Sequence, residues 1–227
     1  MVLNNVDNIM LGSNEVNKIY CGSNVIWERE SSILPAGYTQ KEYLQTSGEQ
    51  VIDTGYTPQT DVFKVEMRVG WFVETNKALV NSSKFNFLKY GSQVYWQTMS
   101  NNDAYFSNGS TLNNDNDYTL IIEKTDTEKI MQIDDRIWNK SSNAVIAATS
   151  APIYLFATHY QNNGQPWATD REFITGKCYY CKIYDNDILV RDFIPAVRDS
   201  DGKAGFYDLV TNQFFTNAGT GADFTTN

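Results

Sequence analysis

Little in this chain of 227 residues is suited to membrane insertion or to common catalysis. It holds one histidine, three cysteines and five prolines. No apolar run approaches the 18 or so residues of a membrane-spanning helix, so membrane insertion is not expected. Basic residues are few: 18 Lys and Arg stand against 27 Asp and Glu, a formal charge of −9 with His neutral. Phosphate-backbone binding rests on Lys and Arg, so nucleic acid is not an expected partner. Docking on an anionic leaflet is disfavoured for the same reason. The opening MVLNNVDNIMLGSNEV has no basic stretch followed by an apolar one, so no secretory leader is expected.

Motifs of catalysis are missing too. There is no P-loop, no G-x-G-x-x-G and no G-x-S-x-G. A serine triad would have to use His159 without a nucleophile elbow. A glycosidase needs two carboxylates set as acid and nucleophile. The nearest acidic pair, Asp134-Asp135, reads as a hairpin turn, so catalysis is not expected. Cys178 and Cys181 spell C-Y-Y-C, but no second such pair exists to complete a zinc site. The local pattern is a strand, and an odd spacing there puts the two thiols on opposite faces. Free cysteines suit assembly in a reducing cytoplasm.

What the chain does contain is β-type material. Asn, Ser and Thr total 58, and aromatics reach 14%. Thr, Tyr and Val suit pleated strands, and Asn and Gly suit turns. Phe63, Val65, Met67 and Val69 alternate with Lys64, Glu66 and Arg68, the mark of a half-buried antiparallel strand. Some fourteen such segments recur at short intervals, separated by turn chemistry such as Asn108-Gly109, Asn163-Gly164 and Asp185-Asn186-Asp187. The expected fold is all-β, a two-sheet antiparallel jelly-roll sandwich with a small N-terminal β appendage.

The appendage is residues 1–28, followed by a polar linker over 29–33 and the main domain over 34–227. Leu11-Gly12-Ser13-Asn14 is echoed ten residues later by Cys21-Gly22-Ser23-Asn24. Apolar runs at Ile9–Leu11, Val16–Cys21 and Val25–Trp27 suggest a three-stranded meander. A unit this small cannot bury enough apolar surface alone. Ile19, Tyr20, Ile26 and Trp27 therefore need a partner surface: the main domain, another copy, or a different protein.

The stretch Leu34-Pro35-Ala36-Gly37-Tyr38-Thr39-Gln40-Lys41-Glu42-Tyr43-Leu44, continuing through Gly48, Gln50, Ile52-Asp53-Thr54-Gly55, resembles the opening of concanavalin A-like, laminin-G-like jelly-roll domains. These occur in structural proteins of gut bacteriophages and in surface proteins of gut bacteria. The stretches Leu189-Val190-Arg191-Asp192-Phe193-Ile194-Pro195, Gly205-Phe206-Tyr207-Asp208 and Phe215-Thr216-Asn217-Ala218-Gly219 resemble the closing part of the same group. Val16 to Trp27 resembles short modules at the start of phage tail and fibre proteins. Within these motifs Gly37, Gly48 and Gly55 are expected in turns of positive φ. Asp53 and Asp208 are expected to cap backbone N–H groups, with Arg191 pairing one of them.

Two segments are candidate ligand sites. Residues 158–171 mix aromatic and amide side chains, the groups that cover the C–H face of a sugar and bond its hydroxyls. His159, Tyr160, Asn162, Trp167 and Asp170 are the residues singled out there; the bland alternative packs the aromatics onto the sheet. The second set is Trp96, Asn102, Asp103 and Tyr105; Trp96 alternates within a strand, which reads as a core position. No cofactor is expected; calcium on Asp115, Asp117 and the neighbouring asparagines is the alternative to an ordinary polar turn. The resemblance implies a non-enzymatic bacteriophage virion protein, of head or tail fibre or decoration type, assembled in the host cytoplasm. Its appendage would join other virion proteins or copies of itself, a trimer among the options, and its jelly roll would bind host-surface or mucosal glycans. A purely structural capsid or tail component, a bacterial glycan-binding surface protein and a divergent glycosidase are the alternatives.

Overall fold

The structure is a computed structural model. It describes residues 9–11, 14–16, 18–21, 24–28, 33–71, 77–91, 93–98, 105–107, 112–113, 116–147, 151–159, 170–171 and 174–227. The chain divides into two compact units, Met1–Pro35 and Ala36–Asn227. Among the described residues every regular element is a β-strand, and every pairing is antiparallel.

The first unit holds β1 (Ile9–Leu11), β2 (Asn14–Val16), β3 (Lys18–Cys21) and β4 (Asn24–Glu28). They form two separate hairpins, β1-β2 and β3-β4, rather than the expected three-stranded meander. Leu11 lies opposite Asn14, and Cys21 opposite Asn24. Asn14 and Asn24, the last residues of the two G-S-N copies, thus each begin the second strand of a pair. Ile19 faces Trp27 in the register, and Tyr20 faces Val25.

The second unit opens with β5 (Tyr38–Gln40), β6 (Leu44–Ser47), β7 (Ile52–Asp53) and β8 (Phe63–Trp71). Next come β9 (Lys77–Asn81), β10 (Phe85–Tyr90), β11 (Gln93–Thr98), β12 (Tyr105–Ser107), β13 (Asp117–Lys124), β14 (Glu128–Ile133) and β15 (Arg136–Ser141). The rest are β16 (Tyr154–Leu155), β17 (Thr158–His159), β18 (Asp170–Arg171), β19 (Thr175–Asp185), β20 (Ile188–Arg198), β21 (Ala204–Asp208), β22 (Gln213–Phe215) and β23 (Thr225–Thr226). One sheet has the order β12-β11-β10-β9-β16-β7. The other runs β15-β14-β13-β8-β19-β20-β21-β22, with β5 on β20, β6 on β19 and β23 on β6. This is the all-β, two-sheet sandwich expected from the alternation.

Its core lies between the sheets. Phe63, Val65, Met67 and Val69 of β8 point inward, level with Ile122, Leu120 and Tyr118 of β13 and with Ile183, Cys181 and Cys178 of β19. Leu79, Val80, Phe85, Phe87, Val94 and Trp96 meet them from the smaller sheet, with the rings of Phe63 and Phe85 5.3 Å apart. Each such side chain contributes about 1.5–3 kcal/mol on burial.

One break in the alternation matters. The register of β19 against β8 shifts between Cys178 and Tyr180. This β-bulge inserts one residue, so Cys178 and Cys181 both face inward and are fully buried. The opposite-face placement expected from spacing is therefore corrected. Burial pushes both thiols up from their ordinary range.

The motif residues close the sandwich. Gly37, Gly48 and Gly55 have φ of +93°, +93° and +62°. The Gly55 N–H donates to Asp53 Oδ1 at 2.8 Å. Asp208, fully buried, accepts from Asp192 N (2.8 Å), Val210 N (3.1 Å) and Thr211 Oγ1 (2.6 Å). Arg191 Nε lies 3.5 Å from Asp208 Oδ2 and donates to Thr54 O at 3.0 Å. Asp185, given no capping role in the sequence reading, is an anchor. It accepts from Tyr56 Oη and Gln59 N, both at 2.6 Å, and from the N–H and hydroxyl of Thr60.

Candidate functional site

The site is built where β16 leaves the smaller sheet. Tyr154 and Leu155 pair with Asn81 and Val80 of β9. The next residue, Phe156, has φ of +76°, a conformation that bulky L-residues rarely adopt. It is held there from both sides. Its N–H donates to Leu79 O, and its C=O accepts from Ile174 N, each at 2.9 Å. Its ring is buried against Phe206 and Phe224, with centroids 6.0 and 5.9 Å away. Strain of this kind persists only where surrounding contacts over-determine it.

Two residues on, the chain forms a short ladder. Thr158 pairs with Arg171, and His159 with Asp170. Both ends of the expected binding segment are thereby brought together, and β17 and β18 were not foreseen. Tyr160, Asn162 and Trp167 lie outside the described residues. Beside this root is a small pocket lined by Thr46, Val69, Gly70, Leu79, Phe156, Ile174, Gly176 and Lys177. The Thr46 hydroxyl donates to Ile174 O and accepts from Gly176 N at 3.1 Å. Phe156 and Ile174, which flank the segment in sequence, therefore also line the pocket. No sequence pattern assigns Phe156 or Thr46 to this pocket, because the signals are a backbone angle and a long-range hydrogen bond. Gly70 and Gly176, which have no side chains to fill the pocket, had no turn pattern to attract notice.

Trp96 is fully buried, the core placement that its alternation within a strand indicates: Val94, Trp96 and Thr98 form the inward face of β11. Its indole N–H has no hydrogen-bond partner among the described residues. Tyr105 begins β12, opposite Gln97, while Asn102 and Asp103 lie outside the described residues. Of the docking residues, Ile19 and Tyr20 stand on β3, and Ile26 and Trp27 on β4. Of the calcium candidates, Asp115 lies outside the described residues. Asp117 is 3.3 Å from Arg68 Nη2.

No family model matches the chain, and no curated protein matches it in sequence. It is similar to several solved structures. A heptameric SAP-like pentraxin from Limulus polyphemus is 11% identical over 66% of this chain and 72% of that one, with a TM-score of 0.44. The CBM40 of Ruminococcus gnavus IT-sialidase, bound to α2,3-sialyllactose, is 9% identical over 67% and 92%, with a TM-score of 0.49. The extracellular region of zebrafish Gpr126/Adgrg6 is 9% identical over 84% of this chain and 26% of that one, with a TM-score of 0.48.

Proposed function

We propose that the chain is a non-catalytic glycan-binding component of a bacteriophage particle, with residues 158–171 as its recognition segment. The ladder of Thr158–His159 with Asp170–Arg171 carries this reading. It gathers both ends of a segment whose sequence holds Tyr160, Asn162, Asn163, Gln165 and Trp167, beside the pocket at Phe156. Aromatic rings and amides presented on a braced root are what sugar recognition uses. The phage assignment is supported by the opening and closing motifs of the second unit. In this reading the two hairpins of the first unit dock on other virion proteins or on further copies of the chain, through Ile19, Tyr20, Ile26 and Trp27. Assembly takes place in the host cytoplasm.

The test is binding of labelled protein to candidate host cells and to their extracted polysaccharides, with Trp167→Ala beside the wild type. Loss of an aromatic anchor costs about 2 kcal/mol or more, so affinity should fall about 30-fold with circular dichroism unchanged. Equal binding by both proteins would move recognition away from this segment. No binding to any cell or polysaccharide would overturn the glycan reading in favour of a purely structural role.

A further inference from the structure

The bulge in β19 does more than turn two thiols inward. It also turns two adjacent tyrosines, Tyr179 and Tyr180, toward solvent, where strict alternation would bury one of them. Bulges of this kind recur where a strand must re-aim a side chain. The outer face around them is a row of tyrosines set among charges. Tyr43 and Tyr179 meet edge to face at 5.9 Å. Lys177 Nζ lies 4.2 Å from the Tyr43 centroid, Arg68 is 4.8 Å from that of Tyr179, and Lys64 is 4.2 Å from that of Tyr184. Tyr180 Oη donates to Glu66 Oε1 at 3.0 Å. Level with Tyr180, Lys182 and Tyr184 stand Arg68, Glu66 and Lys64 of β8.

We infer that this row is a second contact platform for the same glycan, so that the ligand is an extended neutral polysaccharide rather than a terminal sugar. The inference rests on the proposed recognition segment. Continuity is the first argument. Lys177 and Gly70 line the pocket at the segment's root. The Lys177 ammonium also covers Tyr43, and a Cβ on Gly70 would lie 3.9 Å from the Tyr179 ring. Length is the second. From Lys177 to Tyr184 the strand runs about 20 Å, room for several sugar units in a line. Charge is the third. Lys64, Arg68, Lys177 and Lys182 are offset by Glu66, Asp117, Glu123, Asp192 and Glu42 on or beside the face. A balanced set of donors and acceptors suits hydroxyls and gives a polyanion no advantage. The phenols remain donors throughout the physiological range. Burial and the hydrogen bonds to Asp117 and Glu66 hold Tyr179 and Tyr180 up to about 12.

The experiment is calorimetry with size-fractionated neutral glucans, mannans and galactans, and with polygalacturonate as the acidic control. Wild type should bind a neutral chain, with affinity rising over several sugar units. Tyr180→Ala should weaken the longest fragments about tenfold and leave the shortest unchanged, while Tyr180→Phe restores most of the loss. Trp167→Ala should weaken long and short fragments alike. If Tyr180→Ala binds long fragments as wild type does, or affinity is independent of length, the platform is refuted and the recognition segment stands. Binding of polygalacturonate alone would overturn the neutral class. Binding of no polysaccharide would overturn the platform and the segment together.

Discussion

Phe156 offers a test in which the usual ranking of two substitutions reverses. In a regular buried strand, alanine is more stabilising than glycine by roughly 0.5–1 kcal/mol, because glycine loses more backbone freedom on folding. At Phe156 the φ of +76° changes the comparison. Both Phe156→Ala and Phe156→Gly remove the ring packed on Phe206 and Phe224, at a cost of about 3–5 kcal/mol. Alanine keeps the penalty of about 1–2 kcal/mol that an L-residue meets in the left-handed region, and glycine does not. After the entropy difference, glycine should be the more stable by about 1 kcal/mol. In a chain of this size that is a rise in Tm of about 2–4 °C over the alanine variant. Val65, buried in the regular part of β8 opposite Ile122 and Ile183, is the control, where Val65→Ala should exceed Val65→Gly. Urea and thermal unfolding of the four variants would decide. If alanine equals or exceeds glycine at 156, the strained turn does not exist in solution, and with it goes the braced root of the proposed binding segment.

Three further outcomes are expected. Asp208→Ala takes the carboxylate partner from the partly buried Arg191 and leaves two backbone N–H groups without their acceptor, and should cost about 3–5 kcal/mol in urea unfolding. The hydrogen bonds from Tyr56, Gln59 and Thr60 outweigh burial and hold the Asp185 carboxyl below its ordinary value. Its contribution is therefore fully present above about pH 4 and is lost as pH falls through the lower folded value. The stability gap between wild type and Asp185→Asn should shrink on acidification over that window; a constant gap would refute the assignment. A thiol reagent should label exposed Cys21 in the native protein, and reach Cys178 and Cys181 only at the rate of unfolding.

The alternation of Phe63 to Val69 made β8 and its inward face legible, because a period of two is a local property of the chain. The glycines and Asp208 of the motif stretches were legible as turns and caps for the same reason. Cys178 and Cys181 were misplaced because a single inserted residue changes parity, and the insertion is specified by the partner strand β8 rather than by C-Y-Y-C itself. The alternation within β11 pointed Trp96 to the core, and the face of β11 that meets the other sheet is where it lies. At the proposed binding segment the composition was readable, but its root was not. The ladder at 158–159 and 170–171 pairs residues separated by the whole segment, and Phe156 is fixed by Leu79 and Ile174, which no local pattern joins.

The position of β6 sets a schedule for folding. The hairpins β10-β11 and β13-β14-β15 join neighbours in sequence and can close as soon as those residues exist. β6 must wait. Gly176 reaches Thr46 across 130 residues, and Thr225–Thr226 complete its other edge. Until then Leu44 to Ser47 is a strand without neighbours, and the loop-closure entropy of its pairing has not been overcome. The slowest step of folding should therefore be the capture of β6, and the newly made chain is most open to wrong partners in that interval.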